Sequence, residues 1–291
     1  MNQKLGLIKY DWSDNLGDTA QSIATKQFFE PDLYFDRDWP SRTKIPQEID
    51  KVKIIANAYW AGFDGGKSTW EKELPFDKKI NPLWISSHFD GGCAFSGPIL
   101  EYFKHFEPIG CRDKWSQIKL DKLGIQSYFS NCMTITLKNT KKYRTDDIYI
   151  VDVPKNVYRY FPAHILNKAK FITHESKWSK DKIKRGNLFK FNEMQELLDK
   201  YMSAKLVITN RLHCATPCIA FDTPVVFIGR KETFYRVDCL KEYIPLYTYE
   251  DVDLINWDIG YIKNSVDQQK KDFYKKLLTN KVNQFINNDK I

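Results

Sequence analysis

The chain has 291 residues, 42% hydrophobic and 15% aromatic, enough to build one large domain or two smaller ones and too apolar for a disordered, collagenous or disulfide-scaffold protein. Its 45 Lys and Arg against 37 Asp and Glu give a formal charge of +8, but the two signs are interspersed rather than gathered in a basic arm, which points away from nucleic acid. The six cysteines include no CxxC pair, no apolar run reaches membrane-spanning length and the N-terminal stretch MNQKLGLIKYDWSDN is too polar for a secretory leader, so a soluble, reduced, cytoplasmic protein is expected.

Short runs rich in Ile, Val, Phe and Tyr recur at 5–10, 53–58, 83–87, 147–153, 170–174, 205–209 and 224–229, with helical periodicity between several of them. This alternation predicts an α/β protein with mostly parallel strands. After the first strand, DWSDNLGDTAQSIATKQFF places Asn15, Gly17 and Asp18 on a turn before an amphipathic helix, with Asp18 either its N-cap or a site residue. GFDGGKST at 62–69 is one residue short of a phosphate-binding loop, and Pro75 would cut its helix early, so that reading is set aside. A second FDGG, at 89–92, follows His88, a candidate cleft residue whose alternative is a structural histidine. Tyr59, Trp60 and Trp84 are candidate sugar-stacking rings, although most such residues belong to cores.

The strand ending at Gly110 leads into CRDKWSQIKLDKLGI, where Asp113 would cap a helix with Trp115, Ile118, Leu120 and Leu123 on its apolar face. Arg112 is then left at the mouth of the sheet, able to meet an anion. The stretch 138–146, KNTKKYRTD, is polar apart from Tyr143 and is the candidate linker between domains 1–138 and 139–265. In AKLVITNRLHCATPCIAFDTPVVFIG, 204–229, a strand ends at Thr209 and Asn210, a helix follows, and a second strand begins at Pro224. Arg211 and His213 thus fall at the carboxyl end of a strand, the edge where open sheets bind ligands and the next helix offers free N–H groups. Arg211 brings a two-point fork for carboxylate or phosphate, and His213, with an ordinary pKa near ~6.5, can exchange a proton at neutral pH. Cys214 and Cys218 share a helix face but lack a complete ligand set, so no metal is expected. Over 266–291, Val266, Phe273, Leu277, Leu278, Val282 and Phe285 form the stripe of an amphipathic helix packed on the domains rather than on a membrane.

Four segments, NLGD at 15–18, GCRDKWSQIKLDKLGI at 110–125, SNCMTITL at 130–137 and ITNRLHCATPCIAFDTPVVFIG at 208–229, together resemble the polysaccharide pyruvyl transferase family. One departure is Asn131, where a small residue such as Gly is expected. The resemblance implies two Rossmann-like domains facing a cleft, as in the glycosyltransferase-B fold, with the acceptor on the N-terminal side and the donor on the C-terminal side. It implies transfer of pyruvate from phosphoenolpyruvate to a pair of sugar hydroxyls as a ketal, with phosphoenolpyruvate as a substrate and no separate cofactor. The acceptor would be a lipid-linked or nucleotide-linked precursor of a surface polysaccharide, allowing peripheral contact with the inner face of a membrane. Motif matching assigns donor binding to Arg112 and Arg211 and catalysis to His213, with Asn15 and Asp18 in the N-terminal motif. Two other readings use the same scaffold: a glycosyltransferase taking a nucleotide sugar, and a non-catalytic sugar- or nucleotide-binding module, which has less need of a titratable His213.

Overall fold

The computed structural model describes residues 2–60, 73–91, 93, 95–176 and 188–288; the glycine-rich GFDGGKST segment lies outside them. The chain is mixed α/β and divides into two compact units, one of residues 1–13, 21–133 and 274–291 and the other of residues 14–20 and 134–273.

The first unit contains strands β1 (Gln3–Lys9), β2 (Leu33–Asp36), β3 (Lys51–Ala56), β4 (Tyr59–Trp60), β5 (Ile80–Trp84), β6 (His88–Phe89), β7 (Ile109–Cys111) and β8 (Ser127–Phe129). A parallel sheet runs in the order β2-β1-β3-β5, and two short parallel ladders pair β4 with β6 and β7 with β8. Between them lie helices α1 (Leu16–Lys26), whose first residues belong to the other unit, α2 (Pro98–His105) and α3 (Lys114–Lys122). The core is aromatic: Trp84 packs against Phe103 at 4.6 Å, Phe76 at 5.6 Å and Trp60 at 5.1 Å. Trp60 and Trp84 are therefore core residues, not sugar platforms.

In the second unit, β9 (Ile148–Val151), β10 (Ala169–Ile172), β11 (Leu206–Thr209), β12 (Val225–Gly229) and β13 (Leu246–Thr248) form a parallel sheet in the order β10-β9-β11-β12-β13. Helices α4 (Ala163–Leu166), α5 (Leu188–Ser203), α6 (Leu212–Ala220) and α7 (Ile259–Asn264) follow the strands, and α8 (Gln268–Asn287) closes the chain. The central strands read as continuous apolar runs because a parallel sheet is covered on both faces: every residue of β9, β11 and β12 is buried. Among the described residues, no helix is long and apolar enough to cross a membrane.

Three sequence expectations need correction. The polar stretch 138–146 is not a free linker but a strap on the second unit. Lys141 donates to the carbonyl of Asp199 at 2.7 Å, Asn139 to Met202 at 3.0 Å, and Arg144 to Met202 at 2.9 Å and Phe221 at 2.7 Å. These are the orphan carbonyls at the ends of α5 and α6, so the stretch is polar because it caps helices.

The division between units falls after Met133 rather than Lys138, and residues 14–20 belong with the later chain. Leu16 N–H donates to His174 O, and Ser176 N–H to Asp14 O, each at 2.8 Å, contacts that no local pattern announces. The terminal helix does bury Leu278, Val282 and Phe285, but Phe273 is exposed. Its last turn is fixed by the buried Lys53 of β3, which donates to the carbonyls of Ile286 at 3.1 Å and Asn288 at 2.7 Å.

Candidate functional site

In the second unit, the site is built at the carboxyl ends of β9, β10 and β11. Thr209 Oγ1 accepts the N–H of Arg211 at 3.0 Å, turning the chain out of β11 and leaving Arg211 as the N-cap residue of α6. The Arg211 Nε–H donates to Asp152 Oδ2 at 2.9 Å, and its Nη2 lies 3.8 Å from Glu175 Oε1. Asp152 follows β9 in a left-handed conformation, φ 54°, and the same oxygen accepts the His174 N–H at 3.0 Å. Burial alone would raise the Asp152 carboxyl; hydrogen bonds from the His174 backbone and Thr173 and the Arg211 charge outweigh it and hold the group below the usual carboxylate range.

His213, on the first turn of α6, is 7% exposed. It sits against Gly17, where a Cβ would stand 3.0 Å from His213 Cβ and 3.2 Å from Nδ1. That close approach is the physical reason for glycine in NLGD. Asn15 Oδ1 accepts the Gly17 N–H at 3.1 Å, so Asn15, the residue before α1, makes a capping contact; Asp18, in the first turn of the helix, is buried. Asn15, Gly17, Arg211 and His213 thus lie within one unit.

In the first unit, β7 ends at Cys111 and Arg112 follows, its N–H donating to Ser87 O at 2.8 Å. Arg112 is 3% exposed, yet its Nε has no hydrogen-bond partner among the described residues and lies 3.7 Å from its neighbouring carboxylate, Asp113 Oδ2. That carboxylate is 2.5 Å from His88 Nδ1, and both groups are fully buried. Burial pushes Asp113 up, but the hydrogen bond and charge of His88, then the charge of Arg112 and the Ser116 N–H, hold it below the usual range. Tyr59 stacks on the His88 ring at 5.0 Å.

Asp113 caps α3 as expected, through Ser116 N–H at 2.9 Å, but only the Leu120 and Leu123 part of the expected apolar face turns inward. Ser116 and Leu120 are buried while Trp115 and Ile118 are exposed. Ser116 is inside because its Oγ accepts the Phe89 N–H at 2.9 Å and lies 3.4 Å from His88 Nδ1. Asn131 has φ 68°, the region that glycine enters freely and Asn tolerates; its Oδ1 accepts the Cys132 N–H at 2.7 Å.

Residues 15–232 match the family described as Polysaccharide pyruvyl transferase, and that match takes in Asn15, His88, Arg112, Arg211 and His213. The chain belongs to the polysaccharide pyruvyl transferase family. It is therefore a transferase. No curated protein matches this pyruvyl transferase family member. Among solved structures, it is similar to a functionally uncharacterized protein from Klebsiella pneumoniae, at 14% identity and TM-score 0.47, covering 81% of this chain and 86% of that one. It is also similar to the UDP-GlcNAc 2-epimerase of Methanocaldococcus jannaschii, at 12% identity and TM-score 0.41, covering 96% and 100%. The wall teichoic acid polymerase TagF matches at 8% identity and TM-score 0.36, covering 99% and 90%. At such likeness nothing about substrate passes from these proteins to this chain.

The motif residues of this pyruvyl transferase family member sort by unit: His88 and Arg112 in the first, Asn15, Asp18, Arg211 and His213 in the second. Asp152, His174 and Ser116 were missed in the sequence. Asp152 and His174 stand at the ends of the 147–153 and 170–174 runs, the same strand-end grammar that singled out Arg211. Among the described residues, no three His, Cys, Asp or Glu side chains are placed to hold a metal ion.

Proposed function

We propose that this chain transfers pyruvate from phosphoenolpyruvate to a pair of sugar hydroxyls as a ketal, on a glycosyltransferase-B-like scaffold of two Rossmann-like units. The observation that carries the reading is Arg112: a buried guanidinium whose Nε has no hydrogen bond among the described residues and whose near carboxylate is 3.7 Å away calls for an anionic ligand. Phosphoenolpyruvate offers a carboxylate and a phosphate, groups that suit an arginine fork, and Arg211, held by Asp152 through Nε, is a second such fork.

In this mechanism, protonation of the donor's methylene carbon leaves an electrophilic C2. One sugar hydroxyl attacks it and loses its proton, the bond to phosphate breaks, and a second hydroxyl closes the ketal with loss of its own proton. The net exchange is two O–H bonds and one C–O–P linkage for two C–O bonds, a methyl group and inorganic phosphate. His213 serves as the proton donor or as the hydrogen bond to the leaving phosphate. The test is phosphate release from phosphoenolpyruvate that depends on added sugar, followed against pH for wild type, His213→Ala and His213→Asn. Loss of about 10²–10⁴-fold in both variants supports proton transfer. Near-normal turnover and an unchanged pH profile in His213→Asn would reduce the residue to a hydrogen-bond donor.

A further inference from the structure

Trp12 lies just beyond β1 and Trp39 just beyond β2, at the carboxyl ends of two paired parallel strands, the edge at which open α/β sheets bind ligands. Among the described residues, neither ring is part of the aromatic core around Trp84. Trp12 is 46% exposed, and the two rings meet at 5.3 Å with planes 78° apart, forming a right-angled aromatic corner. Arg42 pins Trp39 from 4.3 Å above its ring.

Polar groups line the same edge. The buried Asp36 carboxyl closes β2, and its Oδ1 accepts the Asp38 N–H at 2.8 Å. Burial first, and then the nearby Asp11 charge, push Asp36 up to about 7, so the group can both donate to and accept from a hydroxyl near neutrality. Lys9 pairs with Asp11 at 2.6 Å and Arg37 with Asp38 at 2.7 Å, so most of the charge along the edge is paired rather than gathered to select an anion or a lipid surface. It is also continuous with the buried His88–Asp113 pair: Arg37 donates to the Tyr59 carbonyl at 2.8 Å, and the Tyr59 ring lies on His88.

An aromatic corner beside neutral-to-acidic hydrogen-bonding groups, with its other charges paired, fits a neutral ring that has one C–H face and a rim of hydroxyls. We propose that Trp12, Trp39 and Asp36 form a pyranose-binding subsite that receives the acceptor sugar. This deepens the pyruvyl-transfer reading and rests on it for the word acceptor.

The test is saturation-transfer NMR on the full chain with methyl glycosides of mannose, galactose and N-acetylglucosamine at millimolar concentration, together with the melting shift given by phosphoenolpyruvate. The expected result is transfer to at least one glycoside, weakened about tenfold in Trp12→Ala and retained in Trp12→Phe, with the phosphoenolpyruvate shift unchanged. Because Trp12 is outside the core, its variants keep the fold, which circular dichroism checks. No transfer to any glycoside, or equal transfer in Trp12→Ala, overturns the subsite. Sugar binding that needs Trp12 in a protein that ignores phosphoenolpyruvate would keep the subsite and remove the donor reading instead.

Discussion

Arg211 and Asp152, separated by 59 residues, are joined by a 2.9 Å hydrogen bond from Nε to Oδ2. The same carboxylate oxygen holds the His174 N–H, while the His174 carbonyl holds Leu16 at the start of α1. One carboxylate thereby fixes the arginine fork and the strand end on which the NLGD turn is hung. Asp152→Asn keeps the shape but loses the charge, and donor affinity is expected to fall about ten- to a hundredfold, the size of one charge-assisted hydrogen bond. Calorimetric titration with phosphoenolpyruvate checks this. Because the folded carboxyl is held low, its contribution to stability is present above the unfolded pKa and disappears as pH falls through the folded value. The variant should therefore show a shallower loss of stability in acid than wild type, and an identical acid profile would contradict the pairing.

Gly17→Ala inserts a methyl 3.0 Å from His213 Cβ, so ring or turn must shift. The fold should survive, since the turn is capped by Asn15 and tied to His174 by backbone bonds. Turnover is expected to drop on the order of 10²-fold, as a displacement of about 1 Å in a reacting group produces. Steady-state rates beside a melting curve decide it; an active, fully folded Gly17→Ala protein would separate His213 from the NLGD turn.

Asp36 gives a stability dependence of the opposite sign to that of Asp152. Burial, followed by the Asp11 charge, raises it to about 7, so between its unfolded value near ~3.9 and that point the folded state binds the extra proton. Its contribution therefore weakens the fold as pH rises through this window. Asp36→Asn should melt higher than wild type at pH 8, with a smaller difference at pH 5. A gain that is larger at pH 5 would reverse the assignment.

The strap over 138–146 carries Lys138, Lys141, Lys142 and Arg144, four trypsin sites. Its bonds to the ends of α5 and α6 should protect it in the native protein, and Arg144→Ala, which leaves the carbonyls of Met202 and Phe221 to Asn139 alone, should make it the first place cut. Rapid native cleavage within this stretch would restore the linker reading.

Much of the fold was legible because parallel strands buried on both faces write themselves as uninterrupted apolar runs: β1, β3, β9, β11 and β12 all fall in or beside such runs. For the candidate site, what was legible was the placement of Arg112, Arg211 and His213 just beyond strand ends. What stayed hidden was made by contacts far apart in sequence. Asp113 read as a helix cap because that role is local, whereas its 2.5 Å partner His88 is 25 residues away. Ser116 read as the polar face of α3, but hydrogen bonding to the β6 backbone brings it inside and turns Trp115 and Ile118 out. Trp12 and Trp39 carried no periodic signal because they lie in loops, while the expected platforms Trp60 and Trp84 filled the core.

The most direct test of the account is the donor itself: the thermal unfolding of wild type and Arg112→Ala with phosphoenolpyruvate and, separately, with UDP-N-acetylglucosamine. A ligand at about a hundred times its Kd adds about 2.7 kcal/mol to the folded state, a shift that melting resolves. The account predicts that phosphoenolpyruvate raises the wild-type melting temperature and that Arg112→Ala loses most of this rise. Stabilisation by the nucleotide sugar with no response to phosphoenolpyruvate would contradict it.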